Sequence, residues 1–112
     1  MDKFIAYLDE TVEKLEVEKE ELYSSDREDE ANFVKIKMNI CEICKSVYQV
    51  VVKQVESDSL KDVYIQRMER ISSGWIVAYE KAKEHQDVNR IMIEETKIEM
   101  LAQINGRFLE LV

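Results

Sequence analysis

Residues Ala31 to Val55 read ANFVKIKMNICEICKSVYQVVVKQV, and two stripes interleave along them. One runs Ala31, Val34, Met38, Cys41, Lys45, Tyr48, Val52 and Val55, apolar but for Lys45. The other runs Phe33, Ile36, Ile40, Ile43, Val47 and Val50. Both advance by alternating steps of three and four, the spacing that keeps side chains on one side of an α-helix. A surface helix needs one such stripe. Two stripes describe a helix apolar around much of its girth, which must have neighbours on more than one side. Val47 to Val55 is β-branched enough to suit a strand. The helical period nevertheless runs straight through it, and no turn residue precedes it.

The fold class implied is all-α, an antiparallel up-and-down four-helix bundle with this segment near its centre. Three long helices paired in a dimer are the alternative. The chain of 112 residues has room for one domain, 1–112. It contains no proline and only two glycines, Gly74 and Gly106, which favours long helices joined by short connections.

Outward from the central segment, a first helix is expected from about Lys3 to Leu22, with Phe4, Ile5, Leu8, Val12 and Leu15 on one side. Ser25 followed by Glu28 has the spacing of a capping box, so the central helix is expected to start there. Asp26, Glu28, Asp29 and Glu30 put negative charge at the positive end of its dipole. Ser57-Asp58-Ser59 marks the next break, with Ser57 or Ser59 as cap. A third helix then carries Leu60, Tyr64, Met68, Ile71, Trp75, Ala78 and Ala82. Gly74 within it is expected to pack closely against a neighbouring element. Uninterrupted to Val112, this helix would be about 80 Å long, far longer than its partners. A turn at His85–Asp87, with Asp87 as cap, restores four helices of similar length. In the fourth helix, Asn105-Gly106 reads as a stop with Arg107 to Val112 as a tail. No internal repeat is evident.

The formal charge is −8, from 16 basic and 24 acidic residues. Such a surface repels nucleic-acid phosphates and anionic membranes, so neither is an expected partner. No leader-like apolar run and no spanning segment is evident, and two cysteines make no disulfide framework. The expectation is a soluble cytoplasmic protein.

Motifs that carry chemistry are weak. Cys41-Glu42-Ile43-Cys44 is a CxxC, but it lies in mid-helix, away from the helix N-terminus that activates thiols, and it lacks a second ligand pair. Core packing is the simpler reading. His85 is the only histidine and has no nucleophile signature beside it. No Glu-x-x-His of the di-iron bundles occurs. Glu13-x-x-Glu16 and Glu84-x-x-Asp87 each match half of the magnesium-holding pattern of all-α nucleotide pyrophosphatases, but they lie far apart. No catalytic, cofactor-binding or metal residues are assigned.

The expected function is a non-catalytic helical interaction module that associates with itself as a homodimer through apolar faces. Candidate contacts are Phe33, Ile40 and Val47, which a four-helix monomer would leave over. The acidic row Asp9, Glu13, Glu16 and Glu20 on the first helix is the other candidate contact. Lys83, Arg90 and Lys97, seven residues apart, are potential counter-charges for that row within the bundle. One alternative is a cytoplasmic adaptor, like a secretion chaperone, that binds an amphipathic helix of another protein. A magnesium-dependent hydrolase using Glu94, Glu95 and Glu99 is the other.

Overall fold

The computed structural model describes residues 2–112. Four helices follow one another: α1 (Lys3–Ser24), α2 (Glu28–Gln54), α3 (Leu60–Glu84) and α4 (Val88–Leu111). They form the expected all-α, up-and-down bundle, and the break at His85–Asp87 is real. The β-branched run of α2 is helical to Gln54.

Each boundary has a local cause. At the start of α1 the Phe4 and Ile5 amides donate to Asp2 Oδ1 at 3.0 and 3.2 Å. At the start of α4 the Arg90 amide donates to Asp87 Oδ1 at 3.1 Å. The expected Ser25–Glu28 capping box does not form. Ser25 instead closes α1, its hydroxyl donating to the Glu21 carbonyl, and Arg27 precedes α2 with no side-chain cap. The reason is the backbone at Asp26, where φ is 57°. That left-handed residue lets the Arg27 amide reach back to the Leu22 carbonyl at 2.8 Å, a Schellman ending that uses the serine on its helical side. Ser59 stands at the start of α3, but its hydroxyl caps nothing. Nor does α4 stop at Asn105-Gly106; it continues through both residues to Leu111.

The α3–α4 turn repeats the α1–α2 turn. Gln86 has φ 54°, and the Asp87 amide reaches the Ala82 carbonyl at 2.9 Å. Residue numbers in the two turns differ by 60, and that offset holds along both hairpins. Buried Phe4, Leu8, Val34, Ile40, Cys41, Cys44 and Tyr48 correspond to buried Tyr64, Met68, Glu94, Met100, Leu101, Ile104 and Phe108. The chain therefore consists of two helical hairpins in the same register, although their sequences carry no evident repeat. Identical residues recur only at Asp2/Asp62, Ile5/Ile65, Val17/Val77, Glu20/Glu80, Lys37/Lys97 and Val52/Val112.

Within each hairpin the helices pack intimately, and α2 also touches both α3 and α4. It is the central helix that its two stripes require. Backbones of α1 and α3 stay apart, meeting only through side chains. The result is flat, 45 × 35 × 20 Å, with a radius of gyration of 15.3 Å. A compact chain of this length would have about 13 Å. One core draws on all four helices, and its aromatic rings gather where the starts of α1 and α3 meet the ends of α2 and α4. There Phe4, Tyr48, Tyr64 and Phe108, one ring per helix, sit with centroids 4.2 to 6.1 Å apart. Burying each such ring is worth about 1.5–3 kcal/mol.

Candidate functional site

The three apolar candidates on α2 meet different fates. Ile40 is 1% exposed, so it belongs to the core and is not a contact residue. Its stripe changes partner along the helix. Phe33 and Ile36 lie beside Met92 and Ile93 of α4, whereas Val47 and Val50 lie beside Ile71 of α3. Ile40 falls between these two levels, inside the core cluster. Phe33 and Val47 are half-buried, each lining a groove that opens to solvent.

The groove between α2 and α3 is the more apolar of the two. Ser46, Val47 and Val50 form one wall, and Arg67, Arg70 and Ile71 form the other, around about 380 Å³. Val50 and Ile71 are both more than a third exposed. Arg67 Nη2 donates to Gln54 Oε1 at 2.6 Å. Among the described residues, neither Arg67 nor Arg70 has a carboxylate within 4.0 Å. This is a cationic rim on a strongly acidic protein. Gly74, one turn beyond Arg70 and Ile71, is exposed, and a Cβ placed there would meet nothing within 4 Å. The expected close packing at Gly74 is therefore absent within the chain.

The second hairpin, in the same register as the first, supplies an internal comparison. The position matching Val47 is Arg107, and that matching Arg67 is Tyr7. The Arg107 guanidinium lies over the Tyr7 ring, 5.4 Å from its centroid, and pairs with Glu110. A long side chain thus fills the α4–α1 seam. The short Val47 leaves the equivalent α2–α3 seam open.

The acidic row is only partly satisfied. Asp9 binds Lys45 of α2 at 2.8 Å, and Glu16 binds Lys19 of its own helix at 2.9 Å. Glu13 faces solvent without a partner among the described residues, Glu20 has only a 4.0 Å contact with Lys19, and Val17 stands between them at 59% exposure. The lysines and arginines expected as counter-charges do not serve this row. Lys83 pairs with Glu80, while Arg90 and Lys97 pair with Glu94.

The other motifs resolve into structural roles. Cys41 and Cys44 are buried, and burial pushes their thiols up to about 12 and about 11, away from reactive thiolate. His85 is exposed at the end of α3. Of Glu94, Glu95 and Glu99, only Glu94 turns inward, and Lys97 holds it at 3.0 Å. No three His, Cys, Asp or Glu side chains among the described residues converge as metal ligands. No helix among them is long and apolar enough to cross a membrane.

Sequence reasoning missed Arg67, Arg70 and Val17. Their signal was available: a basic pair on the α3 face next to Ile71, and an apolar residue inside the acidic face of α1. Compared with known protein families, curated proteins and solved structures, the chain matches none.

Proposed function

We propose that this protein is a non-catalytic helical interaction module that associates with itself through apolar surface left open by its own fold. The observation that carries this reading is the α2–α3 groove. Val47, Val50 and Ile71 form an apolar floor that nothing in the subunit covers, and Gly74 beside it leaves room for another backbone. An apolar centre with a polar rim is an arrangement that protein contacts use. Mid-helix glycine costs about 1 kcal/mol relative to alanine, and no packing inside the subunit offsets that cost.

Sedimentation velocity of the full chain over a wide concentration range tests the reading. Sedimentation coefficients that rise with concentration support it. A single monomeric species up to near-millimolar concentration overturns it.

The second groove supports another reading, an adaptor for an amphipathic helix of a different protein. Phe33, Ile36, Met92 and Ile93 line a recess of about 390 Å³ where α2 and α4 begin, edged by Asp29, Asn32 and Asn89. Affinity capture with wild-type chain and with Phe33→Asp tests it. A helix-bearing protein retained only by the wild type supports the adaptor, and identical recovery with both chains counts against it.

A further inference from the structure

We propose that the α2–α3 groove receives the acidic face of α1 from a second copy of this chain, with Val17 seated over Val47, Val50 and Ile71. The proposal rests on the self-association reading and names the two surfaces that meet.

The first argument is chemical fit. The groove has an apolar floor and two guanidinium groups, Arg67 and Arg70, with no carboxylate partner. Its complement is a helix face with an apolar residue at the centre and carboxylates around it. The outer face of α1 is predominantly of that make-up. Val17 is exposed, with Glu13 and Lys14 one turn before it and Glu20 and Glu21 one turn after it, all at the surface, so three of its four neighbours on this face are acidic. Residues at these spacings share one helix face. Like charges along α1 repel one another, and a cationic partner relieves them.

The second argument is exclusion of like-on-like pairing. Groove against groove would set Arg67 and Arg70 against the same two arginines. Two α1 faces together would oppose glutamates with glutamates. Groove against α1 brings opposite charges together at both rims, so electrostatics selects the unlike pairing.

The third argument is placement. In one copy α1 packs on α2, and its backbone does not approach α3. The Val17 face of a chain therefore does not fill that chain's own groove. Each copy offers one groove and one ridge, so the contact closes as a two-fold dimer where both engage reciprocally and continues into rings or chains where they do not. Gly74, next to the groove on α3, gives the incoming helix space for close approach. The matching seam of the second hairpin offers no such site, because Arg107 already covers Tyr7.

Charge reversal of the full chain tests this. One variant carries Arg67→Glu and Arg70→Glu, and the other carries Glu13→Lys and Glu20→Lys. Each alone opposes like charges and is expected to weaken association about ten-fold or more, the scale of two exposed ion pairs lost and reversed. In an equimolar mixture each groove finds an oppositely charged ridge on the other variant, and association is expected to return. Wild-type association is also expected to weaken as salt is raised. Circular dichroism of each variant confirms the bundle, since all four positions lie at the surface or are only half-buried. Association of the wild type that both variants retain unchanged overturns this pairing and leaves self-association standing. Variants that dissociate, with a mixture that stays monomeric, overturn it as well. A wild-type chain that never associates removes both readings at once.

Discussion

Tyr48 on α2 and Phe108 on α4 hold the same place in the two hairpins and meet edge to face, with ring centroids 6.1 Å apart. Phe4 and Tyr64 form the other matched pair, at 5.7 Å. Each pair joins one tyrosine to one phenylalanine, so two hydroxyl groups enter an otherwise apolar cluster. The Tyr48 hydroxyl lies beside the Asp2 carboxylate. The Tyr64 hydroxyl lies beside the Cys44 thiol and has no hydrogen-bond partner.

The unpartnered Tyr64 hydroxyl sets the first prediction. A buried hydroxyl without a partner costs about 1–3 kcal/mol in lost hydration. Tyr64→Phe, which copies Phe4, is expected to leave stability unchanged or raise it by about 1 kcal/mol. Tyr64→Ala is expected to cost about 3–5 kcal/mol through the cavity it opens. Urea denaturation measures both. A substantial loss in Tyr64→Phe would show that the hydroxyl is well bonded.

Glu94 occupies the place that Val34 holds in the first hairpin and is 1% exposed. One carboxylate oxygen meets Lys97 at 3.0 Å and Arg90 at 3.7 Å, while the other has no partner. Glu94→Leu frees two cations that can reach water and is expected to be neutral or stabilising by about 1 kcal/mol. Lys97→Met leaves the carboxylate buried with only the longer Arg90 contact, and a loss of about 1–3 kcal/mol is expected. Thermal melts of the two variants should move in opposite directions or differ clearly in size. Equal destabilisation would contradict this account.

Gln86 takes a left-handed conformation that glycine adopts without strain. Gln86→Gly is expected to stabilise the chain by about 0.5–1 kcal/mol. Asp26 sits in the same geometry, but aspartate tolerates it better, so Asp26→Gly should gain less. Chemical denaturation midpoints rank the two. A fall in midpoint for Gln86→Gly would show that the turn carries no strain to relieve.

Alkaline pH should weaken the fold. Burial raises the Cys41 and Cys44 thiols from 9.0 to about 12 and about 11, and raises both Tyr48 and Tyr64. The folded chain therefore keeps protons that the unfolded chain releases. Stability attached to these neutral groups is complete below pH 9.0 and is lost as the pH climbs toward the folded values. Melting temperatures are expected to decline between about pH 9 and about pH 11, and Cys44→Ala should make the early decline shallower. A flat profile through that range would contradict neutral burial of the thiols.

Helix type and helix breaks could be read from the chain because they rest on local periodicity and turn chemistry. The stripes of α2, the cap at Asp87 and the serines near Ser59 are all short-range signals. The shared register of the two hairpins was not legible because the two halves share burial and not residue type. Cys41 answers Leu101, Cys44 answers Ile104 and Val34 answers Glu94. Ile40 was misplaced because a stripe of constant polarity does not reveal where its neighbour changes from α4 to α3. The open groove escaped notice because it depends on a side chain that is shorter at Val47 than at Arg107, a comparison that exists only once the hairpins are superposed.

The ring cluster also orders the assembly of the molecule. Each hairpin closes over a short stretch of chain, so its internal contacts form quickly and cheaply in loop entropy. The cluster takes one ring from every helix and cannot be complete until the two hairpins have docked. Aromatic circular dichroism in the near ultraviolet therefore reports that late event, and a lag behind the backbone helical signal during refolding would time the joining of the two halves directly.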